Sequence, residues 1–271
     1  MEYLVLLLLG LVVGTFGTLI GAGGGFVLMP ILLLSYPDSS PAVLTATSLA
    51  VVFLNATSGS YSYARMRRVD FRSGLLFLLT GIPGAVGGAY VVNCIPRRTF
   101  NLAFGLLLLA GGLFIFLRTF RAGRRKPTAG ATFQRTLTDA EGFQHVYAYN
   151  LKLGMMLSFV VGLASSMLGI GGGIIHVPAM VSLLDFPVHI ATATSHFILA
   201  IMTFVATVVH VVSGTLGRQQ AVHVVLLGVG AVAGAQIGAR LSRRVHGRWI
   251  LRSLALALGL VGIRILIQAL L

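Results

Sequence analysis

Two short stretches of this sequence combine the groups that could bind an anion. GAGGGFVLMP (21–30) and GIGGGIIHVP (169–178) each carry a run of glycines before a proline, and each precedes a TATS motif (45–48 and 192–195). Consecutive glycines break a helix, because each costs about 1 kcal/mol relative to alanine. A broken helix leaves backbone N–H groups without partners, and those groups suit an anion, as does the positive end of the helix dipole.

The glycine runs have two other interpretations. A dinucleotide fingerprint needs G-x-G-x-x-G after a strand, but Phe26 and Ile174 stand where the third glycine should be, and no P-loop lysine follows either run. Close helix packing explains isolated pairs such as Gly10 and Gly14, yet it needs one small residue per turn rather than three in a row. The residues predicted to break two helices and to offer N–H groups are Gly23, Gly24, Gly25, Gly171, Gly172 and Gly173.

Polar side chains complete the candidate site. Each TATS motif places hydroxyls early in the helix that follows a broken segment, where they could donate to an anion or bond back to the preceding turn. Recurrence of the motif in both places favours the site. Histidines at this depth could relay protons or stay neutral and hydrogen-bonded. The predicted side-chain ligands are Thr47, Ser48, Asn55, Thr194, Ser195 and His196.

The composition is that of a membrane protein. Of 271 residues, 56% are hydrophobic and 10% are charged, whereas soluble domains carry about 25% charged residues. The uncharged runs between charge clusters reach the roughly 20 residues that cross a bilayer. We therefore predict an all-α polytopic membrane protein, with ordinary spans near 42–64, 73–93, 99–118, 191–213, 220–239 and 249–270.

The net charge of +14 could indicate nucleic-acid binding or membrane topology. The basic residues lie in short loops between apolar runs, as the positive-inside rule describes for cytoplasmic loops. We favour topology and expect no nucleic-acid partner. The three clusters are Arg65, Arg67, Arg68 and Arg72; Arg121, Arg124, Arg125 and Lys126; and Arg240, Arg243, Arg244 and Arg248.

The chain is a tandem duplication. The glycines and the proline of the first stretch recur at a constant spacing in the second, and the TATS motif recurs at a spacing one residue shorter. The two membrane repeats are 1–118 and 151–271. Residues 119–150 form a polar linker, expected in the cytoplasm as a plain tether with no apolar face of its own.

Each repeat begins with a glycine-broken segment, 4–35 or 152–184, that either crosses the membrane once or re-enters. Single crossings would make the repeats parallel and place 240–248 outside. Re-entry or a double crossing inverts the second repeat, so that all three basic clusters lie inside while Pro96–Arg98 and Gly214–Gln220 lie outside, with Arg97 and Arg98 as a minor violation of the rule. The positive-inside rule favours this inversion. Each repeat then holds three or four full spans plus a re-entrant segment, about 8–10 membrane segments in total.

Several functional groups are missing from the sequence. No Asp or Glu lies within a predicted span, so the buried carboxylates of many cation-coupled carriers are absent, which suits an anionic substrate. An enzyme would need an acid/base pair or grouped metal ligands. Neither occurs, and Cys94 is the only cysteine. We expect no catalytic residue, no metal and no cofactor.

The paired G-x-G-G-G-x-x-x-x-P stretches, each followed by A-T-S, resemble the TauE/SafE sulfite exporter family of membrane permeases. The resemblance covers both repeats and leaves out only the linker. It implies a multi-pass protein of the prokaryotic cytoplasmic (inner) membrane that moves sulfite, thiosulfate, sulfoacetate or another organosulfonate. It also implicates the two glycine runs together with Thr47, Ser48, Thr194 and Ser195.

The leading hypothesis is a secondary transporter, with export as the favoured direction, for a small sulfur oxyanion such as sulfite or an organosulfonate. The anion would lie between the repeats at the broken helices. A passive anion channel is an alternative, as is an uptake permease for thiosulfate or another sulfur compound. The expected partners are the anion and the lipid bilayer, and the sequence leaves a homo-oligomer open.

Overall fold

The computed structural model of the protein describes residues 2–120, 132–242, 255–256 and 259–267, and it is essentially all helical. The helices of the first repeat are α1 (Glu2–Ile20), α2 (Gly25–Ser35), α3 (Pro41–Arg65), α4 (Phe71–Val91), which a 3-10 turn (Val92–Cys94) follows, and α5 (Arg97–Phe120). The linker holds β1 (Phe133–Thr138) and β2 (Gln144–Tyr149). The second repeat holds α6 (Leu151–Leu168), α7 (Gly173–Leu183), α8 (Val188–Val212) and α9 (Arg218–Leu241), and residues 259–267 are also helical.

Within these ranges, six helices are long and apolar enough to cross a membrane: α1, α3, α4, α6, α8 and α9. The spans predicted near 42–64, 73–93, 191–213 and 220–239 are confirmed as α3, α4, α8 and α9, and the span near 99–118 is helix α5. The last predicted span, near 249–270, lies largely outside the described residues. So do the basic residues Arg121, Arg124, Arg125, Lys126, Arg243, Arg244 and Arg248.

Local sequence sets where several helices begin. The Ser40 side chain accepts a hydrogen bond from the backbone N–H of the first turn of α3, and Pro41 follows at a position where a missing N–H costs nothing. Asp70 caps α4 in the same way, and Asn150 caps α6. Each cap satisfies donors that the helix itself leaves free.

The predicted helix breaks are confirmed. α1 ends at Ile20 and α6 at Leu168, and new helices start at the third consecutive glycine of each run. The glycines that cap them, Gly24 and Gly172, have φ of 83° and 82°, a left-handed conformation that costs glycine little and other residues more.

A proline after a helix break is expected in the first turn of the next helix, where a missing N–H costs little, but both prolines lie about one turn deeper. Pro30 and Pro178 lie inside α2 and α7 rather than in their first turns. The reason is that each helix already starts at the last glycine, which leaves the proline one turn deeper. A proline there removes one hydrogen bond to the preceding turn.

Glycines fix the direction in which neighbouring helices pass each other. In α1 and α9, Gly10 abuts the backbone of Leu227 and Gly238 abuts that of Thr15, so the two helices run parallel. In α4 and α6, Gly84 abuts Phe159 and Gly88 abuts Leu163 and Met167, so these helices also run parallel. The close packing predicted for isolated glycine pairs such as Gly10 and Gly14 is confirmed, and Gly84 and Gly88 pack in the same way.

The central helices α3 and α8 run antiparallel. The rings of Phe53 and Phe204 are 5.2 Å apart, while Tyr63, later in α3, packs on His196, earlier in α8, at 5.7 Å. The order of contacts along each pair likewise shows that α3 runs parallel to α9 and that α4 runs parallel to α8. Thus α1, α3 and α9 run one way, and α4, α6 and α8 run the other way.

These directions define two ends of the bundle. We call the end where α3 stops and α4 starts the basic face, because it carries Arg65, Arg67, Arg68 and Arg72. The opposite end, where α4 stops and α5 begins at Arg97, is the second face. α2 returns to the second face, since the Arg97 guanidinium donates to the carbonyl oxygens of Leu33, Tyr36 and Ser39 at the end of α2. The pair α1–α2 is the first helical hairpin, and α6–α7 is the second.

The linker is more than a tether. β1 and β2 form an antiparallel linker hairpin, with Phe133 opposite Tyr149 and Thr138 opposite Gln144. Tyr147 and Tyr149 are buried, and both pack on Phe186 with ring centroids 4.6 and 5.0 Å away. The expectation of a segment without an apolar face is therefore wrong. The alternation of β2 collects its aromatic side chains on one side, a period that appears once the strand forms.

Candidate functional site

The two glycine turns meet at the centre of the bundle. A Cβ atom on Gly25 would lie 2.8 Å from the carbonyl oxygen of Gly169, and one on Gly173 would overlap the carbonyl of Gly21. Each turn therefore packs against the turn of the other repeat, and only hydrogen atoms fit between them. The structure brings all six predicted glycines to this junction or its rim, because Gly23 and Gly171 both contact Val52 and Leu199, near the middle of α3 and α8.

Backbone N–H groups are left over at the junction. The hydrogen bonds of the first turn serve the N–H groups of Gly21, Ala22 and Gly23, and those of the second serve Gly169 and Ile170. Within the described residues, no hydrogen bond uses the next N–H groups, which are those of Gly24, Gly25 and Phe26 in the first turn and of Gly171, Gly172, Gly173 and Ile174 in the second. These are the starts of α2 and α7, where the helix dipole places partial positive charge.

Two predicted serines join the turns across the repeats. Ser48 Oγ donates to the carbonyl oxygen of Gly169 at 2.6 Å, and Ser195 Oγ lies 3.4 Å from that of Gly21. The helices α3 and α8 thus each bind the glycine turn of the other repeat through one of its backbone carbonyl oxygens. Both serines are at the junction, as predicted, and both are buried.

Asn55 and His196 form a polar cluster beside the first turn. Thr18 Oγ1 lies 3.1 Å from Asn55 Oδ1 and 3.2 Å from His196 Nε2, and Tyr63 Oη donates to the Thr18 carbonyl at 2.8 Å. Gly59 allows this approach, because a Cβ there would lie 2.6 Å from the His196 ring. Asn55 is fully buried, and its amide nitrogen has no hydrogen-bond partner among the described residues. The cluster can therefore donate to a guest.

Further buried hydroxyls surround the junction without partners of their own in the described part of the chain. They are the side-chain oxygens of Thr45, Thr192 and Ser166. A narrow void lies beside the second turn, lined in part by His176, whose Nε2 is 3.1 Å from Ser158 Oγ. The void is too small for a water molecule. A guest of any size therefore needs the two turns to separate.

Thr47 and Thr194 lie away from the turns. Thr47 Oγ1 donates to the Val43 carbonyl of its own helix at 2.9 Å, and its side chain lines a pocket that opens towards the second face. Thr194 Oγ1 accepts the backbone N–H of Asp70 at 2.9 Å, near the basic face. The two threonines occupy equivalent sequence positions and point to opposite ends of the bundle.

The charges of the described residues lie at the rim. Among the acidic residues whose side chains the structure describes, Asp70 is the most deeply buried, and it caps α4 at the basic face. Burial by itself would raise the pKa of the Asp70 carboxyl, but hydrogen bonds from Arg135, Ser73 and Tyr147 hold that pKa below its usual value. The junction itself offers neutral donors and two helix starts, an environment that favours an anion over a cation.

Comparison with known proteins decides the family. The sequence profile described as sulfite exporter TauE/SafE matches residues 6–265 of the chain. The chain belongs to this family. The resemblance inferred from the paired glycine stretches is thereby confirmed, and the protein is a multi-pass membrane transporter of the TauE/SafE family in the cytoplasmic (inner) membrane.

Curated TauE/SafE relatives carry the same general description. The chain is 33% identical to the probable membrane transporter protein YunE of Bacillus subtilis over 99% of this chain and 98% of that protein. It is 22% identical to a probable membrane transporter protein of Methanocaldococcus jannaschii, over 97% of this chain and 94% of the relative. No solved structure matches the chain.

Several residues at this TauE/SafE site escaped the sequence analysis. Thr18 and Gly59 look like ordinary small residues of apolar helices, and only the fold brings them to His196. Asp70 and Arg135 are 65 positions apart, in a loop and a linker that both read as solvent-exposed. An aspartate three residues before a serine, ahead of an apolar run, is a helix-cap signal, and that signal could have drawn attention to Asp70.

Proposed function

We infer that this protein is a secondary transporter, with export as the favoured direction, for a small sulfur-containing oxyanion such as sulfite or an organosulfonate. The anion would bind where the starts of α2 and α7 converge. The observation that carries the proposal is the set of unused N–H groups at that junction, beside the unpartnered amide of Asn55. A transporter that accepts an anion needs such donors when the turns separate.

Helix directions support an inverted repeat, and with it alternating access. Each of α1, α3 and α4 runs opposite to its counterpart in the second repeat, α6, α8 and α9. Inverted repeats let one half of a transporter adopt the conformation of the other, which moves the opening from one side to the opposite side. The reciprocal contacts of the glycine turns fit such an exchange, because each turn holds the other in the same way.

The basic face is assigned to the cytoplasm. It carries four described arginines of the first cluster and the end of α9 with Arg240, as the positive-inside rule requires of cytoplasmic ends. The second face then lies outside. Arg97, the exception in the sequence pattern, has a structural task there, because it caps the end of α2.

The first test is anion flux in proteoliposomes with sulfite, thiosulfate, taurine and sulfoacetate. We expect saturable flux of at least one sulfur anion, accelerated by substrate on the far side, which a passive channel would not show. Flux of none of these anions would refute the proposal, and flux without acceleration would favour a channel.

The second test places a negative charge at the junction. Asn55→Asp should abolish flux, because a carboxylate repels an anion in a poorly hydrated site, whereas Asn93→Asp, at the exposed end of α4, should leave flux unchanged. Asn55→Leu removes the donor without adding charge, and it serves if the aspartate variant does not fold. Normal flux through folded Asn55 variants would contradict the proposed site.

A further inference from the structure

We propose that the linker hairpin is the gate that closes the anion path at the basic face. This rests on the transport function proposed above and concerns the regulation of the same site. The hairpin lies between the two copies of the duplicated sequence, and the described part of the second repeat contains no strand. Its contacts are with the basic face of both repeats, so it can respond to their relative movement.

The first step is that Asp70, at the start of α4, is bound to the helix that carries part of the site. Its backbone N–H donates to Thr194 Oγ1 at 2.9 Å, and the next residue of α8, Ser195, reaches the carbonyl of Gly21 in the first glycine turn. Asp70 is therefore linked to the junction through two neighbouring residues of α8. A movement of Asp70 away from Thr194 would free the basic end of the path that leads to the turns.

The second step is that the linker hairpin holds Asp70 in place. Arg135 Nη2 is 2.8 Å from Asp70 Oδ1 and Arg135 Nε is 3.1 Å from Oδ2, while Tyr147 Oη donates to Oδ2 at 2.7 Å. Tyr149 Oη donates to Ser73 Oγ at 2.6 Å, and burial raises the pKa of Tyr149 to about 12, so the phenol stays protonated. Strand side chains of the linker thus bind the first turn of α4.

The tip of the hairpin is tied to the same face. Arg68 Nη2 lies 2.6 Å from Glu141 Oε2, and the backbone N–H of Ala140 donates to the Met66 carbonyl at 3.0 Å. Besides the aromatic contacts on Phe186, the hairpin is held by hydrogen bonds and ion pairs, which specify one docked geometry and can be remade after separation. Buried ion pairs add specificity more reliably than net stability, which fits a latch better than a permanent brace.

The third step is the contrast with the second face. Thr47, the counterpart of Thr194, lines a polar pocket of about 70 Å³ together with Tyr36, Ser39, Gln220 and His223. The linker strands of the described chain lie at the other end. At the second face, the hydrogen bond between Tyr36 Oη and His223 Nε2, 3.0 Å long, and those from the Arg97 guanidinium to the carbonyls of Tyr36 and Ser39 border the pocket. Thr47 therefore borders a cavity at its end of the bundle, whereas Thr194 is bonded to Asp70, which the linker strands hold. The structure represents a state in which the gate is shut.

The test measures access to both ends of the path by labelling single cysteines. In a Cys94→Ser background, Ser195→Cys reports the basic end and Thr47→Cys the second end, with a membrane-impermeant maleimide applied from each side. Arg135→Gln should raise labelling of the Ser195→Cys protein from the basic face by about tenfold, as a shift between two states by one charged hydrogen bond implies. Labelling of the Thr47→Cys protein from the second face should fall.

Two variants control for charge and folding. Arg67→Gln removes one positive charge from an exposed position on the same face and should change neither labelling rate. Tyr149→Phe deletes a single hydroxyl and should reproduce the effect of Arg135→Gln in a milder form. If access rises at the basic end without a fall at the second end, the hairpin is a cover and not a gate. Unchanged labelling at both ends also overturns the proposal.

The cysteine labelling rates are measured independently of anion flux. Failure of every sulfur anion to move through the unmodified protein would overturn the proposed function, even if the two labelling rates change in opposite directions. Normal flux with no change in labelling would instead overturn the gate alone.

Discussion

The first and second helical hairpins share a centre and differ at their ends. At the centre, Gly25 packs on the turn of Gly169 as Gly173 packs on that of Gly21. At its end, the first hairpin has an arginine cap, whereas the second hairpin has the linker strands packed against Phe186, just beyond α7. Duplication thus preserved the backbone geometry that two close turns require, while the outer ends of the two helical hairpins came to make different contacts.

The side chains beside the two turns also diverged. When the two TATS motifs are aligned, Asn55 corresponds to Met202 and His196 corresponds to Leu49. Two members of the polar cluster beside the first turn, Asn55 and His196, therefore correspond to apolar residues in the other repeat. Two matching helix starts can offer the same dipole, but an anion that needs an amide donor would bind off centre, nearer Asn55.

The largest expected effect comes from filling the shared centre. Gly173→Ala should destabilise the protein by more than about 4 kcal/mol, because the new methyl group overlaps the Gly21 carbonyl in a core that cannot relax. Gly25→Ala should act in the same direction with a smaller loss. Melting temperatures in detergent measure both, with Gly259→Ala, where a Cβ meets open space, as the control. If Gly173→Ala melted at the wild-type temperature, the close contact between the two turns would be contradicted.

Loss of the hairpin's ion pair should come next. Arg135→Gln leaves the fully buried Asp70 carboxylate with fewer partners, at a cost of about 2–3 kcal/mol. Proteolysis of the linker should speed up accordingly, while the membrane helices remain resistant. Gln134→Ala, on the exposed side of β1, is the control. Equal proteolysis of the two variants would show that the ion pair does not hold the hairpin.

The same pair predicts a dependence on pH. Because the pKa of Asp70 is lower in the folded protein than in the unfolded chain, its contribution is complete above the unfolded value and is lost as the pH falls through the folded value. We expect the hairpin to lose stability progressively as the pH falls below the ordinary pKa of an aspartate, about 3.9, because the folded pKa lies lower still. Asp70→Asn should remove this dependence. The same acid dependence of linker proteolysis in the parent protein and in Asp70→Asn would contradict the assignment.

A smaller effect should separate the two half-sites. Asn55→Leu should weaken anion binding by about tenfold to a hundredfold, the usual value of one hydrogen bond to a charged group. Met202→Leu, at the equivalent position of the second repeat, should change it little. Apparent affinities from proteoliposome flux measure both. Equal losses would place the anion on the axis between the repeats and remove the asymmetry.

The smallest effect concerns the arginine cap. Arg97→Gln should cost about 1 kcal/mol, because it removes a cation and several donors from the end of α2. Arg98→Gln, exposed on the next residue, should cost nothing measurable. Thermal unfolding compares them, and similar losses for both would mean that the cap has no special role.

The membrane class and most of the spans could be predicted from the sequence, because runs without charged residues are visible in it directly. Sequence analysis also found the glycine turns, since a repeated glycine run marks a break wherever it occurs. It missed the linker hairpin: QHVYAY carries a strand period, but a polar linker gives no reason to expect a partner surface. Thr47 and Thr194 were placed at the site by their neighbours in the motif, yet a helix turns about 100° per residue, so adjacent hydroxyls point in different directions.

The sequence alone determined that the chain crosses the membrane repeatedly and that two helices break at the glycine runs 23–25 and 171–173. Hydrophobicity and backbone freedom are local properties, carried by each residue wherever it lies. Only the tertiary structure decided that the two turns touch, that Asn55 faces Thr18, and that Asp70 is buried under the linker. Those contacts join residues far apart in the chain, and they exist because parallel and antiparallel helix packing brings the residues to the same depth.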